Sequence, residues 1–353
     1  MVKELLIHLG DRKTGSTSIQ TALYKQYWNC DDAKLIYPVT KTTWNHNGLA
    51  TSIGKENTSK VKNYGEEFRE KIIRSDADYA VLSGEHFESV DPKLLLEFIK
   101  SFMPELEDKL RLIVYIRPHA SRFVSSYAER VKLGAFQGSM AELHEKFKLN
   151  SFLIYHNRLR EWKSIFEDRL TIKPFVRTSL YQQDVVSDFF KHIFQSNPYE
   201  LKTMKMSNES LCLEDLATLN EIHKILKTEY RNQIKPNVLK GFSRKMAVQL
   251  TQSKNDGTKV QLHKHLAEHL KSFYMEDAKI IDREYFGEPI FEQSLIDYTS
   301  KVVESEQTLQ IDKHLSEENI RYIKCWITFL GPIMAKKPKL FMELTKHLKF
   351  RVK

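Results

Sequence analysis

Cysteine is scarce in this sequence: Cys30, Cys212 and Cys325 are the three in 353 residues, far apart and with no C-x-x-C pair. That argues against a disulfide framework and against a zinc site, and it fits a reducing compartment. Long apolar runs are also missing. The nearest, residues 322–334, is interrupted by Lys324 and falls short of the roughly 20 residues that span a bilayer. Met1-Val-Lys-Glu runs straight into an apolar stretch and leaves no room for a secretory signal, so a cytoplasmic location is expected. No Cys/His finger, RNP-like stretch or basic heptad region is present, which speaks against a nucleic-acid partner. Repeats, low-complexity tracts and Gly/Ser linkers are absent, and a second module on a flexible tether is not expected.

What remains is the composition of a globular protein, 41% hydrophobic and 29% charged, long enough for one large domain or two. Lysine and arginine outnumber the acids 55 to 46, a net +9 that suits anionic ligands without naming one.

The most informative stretch is residues 5–21, L-L-I-H-L-G-D-R-K-T-G-S-T-S-I-Q-T. Leu5, Leu6, Ile7 and Leu9 read as a buried strand of a parallel sheet that breaks at Gly10 into a short polar loop. Ser16, Thr17 and Ser18 can cap a helix that Ile19, Ala22 and Leu23 continue at helical spacing. A strand, a glycine-containing loop carrying Lys13, and a helix N-terminus together make an anion site. The guest expected there is a phosphate or sulfate group. The usual triphosphate loop, G-x-x-x-x-G-K-[ST], is not present, because Lys13 precedes Gly15 instead of following it.

Further along, residues 34–37 read as a short strand ended by Pro38, and residues 39–60 as an irregular polar loop holding Trp44, His46 and Asn47, groups able to stack on or hydrogen-bond a sugar. An amphipathic helix is expected over 61–75 and a strand over 79–82, leading into Ser83-Gly84-Glu85-His86-Phe87. Asp91-Pro92 opens another helix, and residues 111–116 form a third strong strand. In a doubly wound sheet ligands sit at the carboxyl ends of strands, so the Lys13 loop and Glu85 could share a crevice. Arg117 then ends its strand, with Ser125 eight residues on and Tyr127 two beyond, where a guanidinium and a hydroxyl can grip a phosphate.

The order K-T-G-S-T-S resembles the 5′-phosphosulfate loop of sulfotransferases that use 3′-phosphoadenosine 5′-phosphosulfate (PAPS), and the spacing of Arg117, Ser125 and Tyr127 resembles their 3′-phosphate signature. The chain thus resembles the PAPS-dependent sulfotransferase family, in particular bacterial carbohydrate sulfotransferases, over roughly residues 1–190. Weaker matches are N-E-S-L within residues 206–211 and the R-x-Y-F-G element at residues 283–287. The resemblance implies a P-loop-like three-layer α/β fold with a central parallel sheet, a PAPS-binding core over residues 1–205, and no metal. A largely helical subdomain over 206–353 would complete the same fold, since residues 213–226, 244–251, 260–273 and 317–329 show helical periodicity.

It also implies roles. Arg12, Lys13, Thr14, Gly15, Ser16, Thr17, Ser18, Arg117 and Ser125 would bind the nucleotide, with Lys13 stabilising charge on the leaving 5′-phosphate. An acceptor hydroxyl, expected on a polysaccharide or glycolipid, must lose its proton to a base. Glu85 is the first candidate and adjacent His86 the rival. His8, inside the first strand, reads as a core histidine, and Arg177 as either a crevice cation or a structural ion pair. Two other readings stay open: a nucleoside-triphosphate kinase, and a non-catalytic binder of anionic glycans. Residues 336–353, basic and interleaved with apolar residues, could form a helix lying on a membrane or an acidic polymer, or a solvated helix packed on its apolar side.

Overall fold

The apolar run at residues 5–7 becomes the middle of β1 (Glu4–His8), and the rest of the sheet is built outward from it. The computed structural model describes residues 2–41, 43–202, 210–252 and 257–346. After β1 come α1 (Ser16–Lys25), β2 (Trp28–Asn29), β3 (Leu35–Ile36), α2 (Asn47–Gly54), α3 (Thr58–Ile73), β4 (Tyr79–Ser83), α4 (Pro92–Phe102) and β5 (Leu110–Ile116). The middle of the chain holds α5 (His119–Lys132), α6 (Met140–Leu149), α7 (His156–Phe166), β6 (Leu170–Pro174), α8 (Val185–Phe194) and β7 (Glu200–Leu201). Helices α9 (Leu213–Tyr230), α10 (Pro236–Gln252), α11 (Lys264–Ile281), α12 (Ile290–Tyr298), α13 (Glu317–Lys336) and α14 (Pro338–Leu344) follow.

Five strands form one parallel sheet in the order β3-β4-β1-β5-β6, with His8 paired to Ser83 on one side and Ile113 on the other. On one face Leu6, Val81, Ile113 and Tyr115 pack against Ile19 and Leu23 of α1 and Phe189, Phe190 and Phe194 of α8. By the two-residue strand period Leu5, Ile7, Leu82, Leu112 and Val114 point the other way, and they are buried as well. Both faces are therefore covered, which is what an all-parallel sheet needs.

The chain divides into two compact units that interleave in sequence. One comprises Met1–Pro118, Ile154–Met206 and Met275–Ser294 and contains the sheet; the other comprises His119–Leu153, Ser207–Tyr274 and Leu295–Lys353 and is helical. Residues 119–153 thus belong with the helical unit and residues 275–294 with the sheet. In the helical unit Ile327, Gly331 and Met334 of α13 are buried, and a Cβ at Gly331 would collide with the Tyr230 ring of α9. The element at 283–287 lies in a π-helical turn, Asp282–Phe286, that continues α11 and is closed by Gly287 at φ 71°. Asn208 and Glu209 of the N-E-S-L stretch, and residues 347–353 of the basic tail, lie outside the described residues.

One sequence expectation fails here. Residues 39–60 are not irregular throughout, since α2 and the start of α3 fall within them. Helix α2 is short and carries glycine at both ends, so its own propensity is weak; burial of Leu49, Ala50 and Ile53 holds it instead.

Buried histidines tie the strand ends together. His8 Nδ1 lies 2.8 Å from Ser83 Oγ, while His46 Nδ1 accepts from the Ser83 amide at 2.9 Å and its Nε2 faces Pro38 O at 2.9 Å. Burial lowers the pKa of His8 to about 3 and that of His46 to about 4. An unfolded chain protonates such groups below about 6.5 while the native state refuses the proton, so stability falls as pH drops from 6.5 toward 4. Each group contributes a slope of roughly 1 kcal/mol per pH unit. In urea titrations across that window, His46→Gln is expected to flatten the pH slope by about one proton's worth. An unchanged slope would mean that the native imidazole is already charged.

Candidate functional site

Because β4, β1 and β5 are neighbouring and parallel, the segments leaving their carboxyl ends emerge side by side. They carry Glu85, the loop of residues 9–15, and Arg117. The ladder continues past β1: Tyr115 N donates to Gly10 O and Asp11 N to Tyr115 O, both at 2.9 Å. Beyond that, Lys13 at φ 67° and Gly15 at φ 78° turn the chain into α1. A non-glycine residue in the left-handed region is uncommon and costs of order 1 kcal/mol or more, and such strain is concentrated at functional sites. At Gly15 a side chain is excluded twice over, by its φ and by Val185 Cγ1, 2.7 Å from where a Cβ would sit.

The loop is held from beneath by a pair that local sequence reading missed. Asp11 is fully buried, and its carboxylate accepts from Arg158 Nη1 at 2.9 Å and Nη2 at 2.6 Å. Burial opposes the charge on Arg158, but the carboxylates of Asp11 and Glu88 outweigh it and raise its pKa, so it stays a fixed cation. Thr14 Oγ1 donates to Asp11 O at 2.5 Å and closes the turn. Arg12 N donates to Glu88 Oε2 at 3.2 Å, with its guanidinium 3.8 Å from the same oxygen.

The helix start differs from expectation. Ser16, Thr17 and Ser18 do not cap α1; Gly15 is the cap residue, with no side-chain cap bond, and the three hydroxyl residues occupy the first turn. Ser16 Oγ instead donates to Glu85 Oε2 at 3.0 Å. Thr17 is exposed and Ser18 buried. Among the described residues, no protein acceptor meets the backbone N–H groups of Thr14, Gly15, Ser16 and Thr17. Such orphan donors at a helix N-terminus, with the positive end of the helix dipole behind them, favour an anion.

Arg117 reaches the same loop. Its Nη1 donates to Lys13 O at 3.2 Å and its guanidinium lies 5.8 Å from the Phe175 ring centroid, while Tyr155 Oη donates to Arg117 O at 2.8 Å. Lys13 is half-buried. With Arg12, Lys13, Arg117 and Arg158 against Asp11, Glu85 and Glu88, the site has one more cation than carboxylate. The structure thus brings Lys13, Gly15, Ser16, Glu85 and Arg117 together. Ser125 lies half-buried on α5, in the helical unit.

Glu85 and His86 open a 3-10 turn, Glu85–Ser89, and point to different places. Glu85 faces the first turn of α1, whereas His86 Nδ1 lies 2.8 Å from Thr51 Oγ1 of α2, and its amide donates to Asn47 Oδ1 at 3.1 Å. Burial and nearby Arg12 lower the His86 pKa, which keeps its imidazole neutral near pH 7. Beside it opens a groove of about 500 Å³ lined by Asn47, Gly48, Thr51, Lys60, Tyr64 and His86, among others. Asn47 therefore remains available to a ligand, but His46 does not, being buried and bonded into the fold. Trp44 is partly exposed and Arg177 exposed. His8 is the core residue expected.

Removing Arg158 would leave Asp11 as a buried unpaired carboxylate. Arg158→Ala is expected to destabilise the protein by about 3–5 kcal/mol in urea unfolding, with much of the loss restored by adding Asp11→Asn. A loss below about 1 kcal/mol would show that the pair does not hold the loop.

No family model, curated protein or solved structure matches the chain.

Proposed function

We propose that this chain is a sulfotransferase that moves a sulfuryl group from PAPS to a carbohydrate hydroxyl, on a P-loop-like α/β core. One observation carries the reading: the Lys13 loop with its four orphan amides, the Glu85 carboxylate and the Arg117 guanidinium meet at the carboxyl ends of three adjacent parallel strands. The resemblance of K-T-G-S-T-S and of the Arg117–Ser125 spacing to sulfotransferase motifs supports it further.

The donor set suits a phosphosulfate. Amides at the start of α1 and the Lys13 ammonium offer hydrogen bonds and positive charge to one end of the nucleotide, and Arg117 would grip the 3′-phosphate. Thr14 contributes through its amide, because its hydroxyl is already spent on Asp11. PAPS supplies the activated sulfuryl group when bound. In the transfer, the acceptor oxygen forms a bond to sulfur as the bond from sulfur to the 5′-phosphate oxygen breaks. Lys13 and the loop amides neutralise the charge left on that oxygen. Glu85 takes the proton of the acceptor hydroxyl, a role supported by its contact with Ser16 in the first turn of α1.

His86 faces the groove instead, where a polar lining with one tyrosine ring suits a saccharide. It would position the acceptor rather than act as base. The kinase reading has less support, since the sequence lacks the Lys-Ser/Thr pair in the frame of the triphosphate loop G-x-x-x-x-G-K-[ST].

The test is transfer of labelled sulfur from PAPS to a panel of saccharides. Glu85→Gln is expected to lower turnover by about 10²-fold with nucleotide affinity nearly unchanged, and His86→Ala to raise KM more than it lowers kcat. Equal turnover by Glu85→Gln would remove that residue from the role, and no transfer from PAPS to any saccharide would overturn the reading.

A further inference from the structure

Helix α13 has two apolar sides, and among the described residues only one is covered. Ile327, Gly331 and Met334 face inward against α9, where Tyr230 Oη donates to Thr328 O at 3.1 Å. On another side Tyr322, Trp326 and Phe329, spaced four and three residues apart, form one row, exposed at 49%, 65% and 67%. Leu340 and Leu344 of α14 are exposed as well, at 41% and 63%. Large apolar groups left in water in a row mark a contact surface.

The charges around it say what kind. Arg321, Lys336, Lys337, Lys339 and Lys346 are all exposed on α13, α14 and their connections. Glu317 and Glu318 oppose them only at the start of α13, where they also suit the helix dipole, and Glu343 is the one acid on α14. A second copy of the chain docked on this face would set these cations against their own images. A glycan would leave Phe329, Leu340 and Leu344 facing hydroxyl groups. An anionic lipid surface satisfies both features at once.

We propose that this face of α13 and α14 lies on an anionic membrane surface, with Tyr322, Trp326 and Phe329 at the boundary between headgroups and acyl chains. The lysines reach lipid phosphates while their stems cover apolar surface. The contact is peripheral, because among the described residues no helix is long and apolar enough to cross a membrane.

The experiment is co-sedimentation of the full chain with phosphatidylcholine vesicles, with and without roughly a third phosphatidylserine, alongside tryptophan fluorescence. Binding to the anionic vesicles alone is expected, falling as salt rises. The emission should shift to the blue, and Trp326→Leu should abolish the shift. Trp326→Ser with Phe329→Ser should lower the partition coefficient about tenfold or more, and Lys336→Glu with Lys337→Glu should do the same. These positions are exposed, so the variants keep the fold, which an unchanged melting temperature verifies. No binding to anionic vesicles, or equal binding by parent and both double variants, would overturn the proposal. So would a dimer that Trp326→Ser with Phe329→Ser dissociates without changing vesicle binding.

Discussion

The ion pair between Asp11 and Arg158 is the constraint on which the rest of the site depends. Backbone pairing with β5 carries the first strand on as far as Asp11, and the bidentate grip of a guanidinium from α7 then fixes that residue below the loop. From there the loop has only four residues in which to reach α1. It does so by putting Lys13 and Gly15 in left-handed conformations, with Thr14 bonded back across the turn. The strain is local, the anchor is buried, and the outcome is a set of amides that, among the described residues, meet no protein acceptor.

That arrangement holds opposite charges close together. Carboxylates of Glu85 and Glu88 lie against the same loop that gathers Lys13, Arg12 and Arg117. A site that only bound an anion would gain nothing from Glu85, which repels it. A site that must also take a proton from a neutral hydroxyl has a use for a carboxylate at the edge of the anion pocket. Asp11 is matched by Arg158 and Glu88 by Arg12, and in the proposed reaction the proton of the acceptor is the use of Glu85. His86, next in sequence but turned toward α2, leaves the same 3-10 turn on another side and lines the groove there.

Much of this was legible in the residues. The apolar runs at β1, β4 and β5 are short, strong and bounded by glycine, proline or charge, so the strands could be placed, and with them Lys13, Glu85 and Arg117 at strand ends. Asp91-Pro92 announces α4 through a side-chain cap and a pre-set φ, as found. What could not be read are partnerships across long stretches of chain. Arg158 has no local signal linking it to Asp11, 147 residues away. Ser16 looks like a cap until Glu85 is seen to take its hydroxyl. Helix α2 escapes notice because tertiary burial, not propensity, makes it, and His46 seems a loop histidine until its partners at Ser83 and Pro38 are known.

The most direct test of the anion site is calorimetry without added metal, comparing 3′-phosphoadenosine 5′-phosphate with ATP plus Mg²⁺. The account predicts tight binding of the former and none of the latter, with Arg117→Ala weakening the former by about tenfold or more. Binding of ATP plus Mg²⁺ alone, or of neither nucleotide, would contradict it.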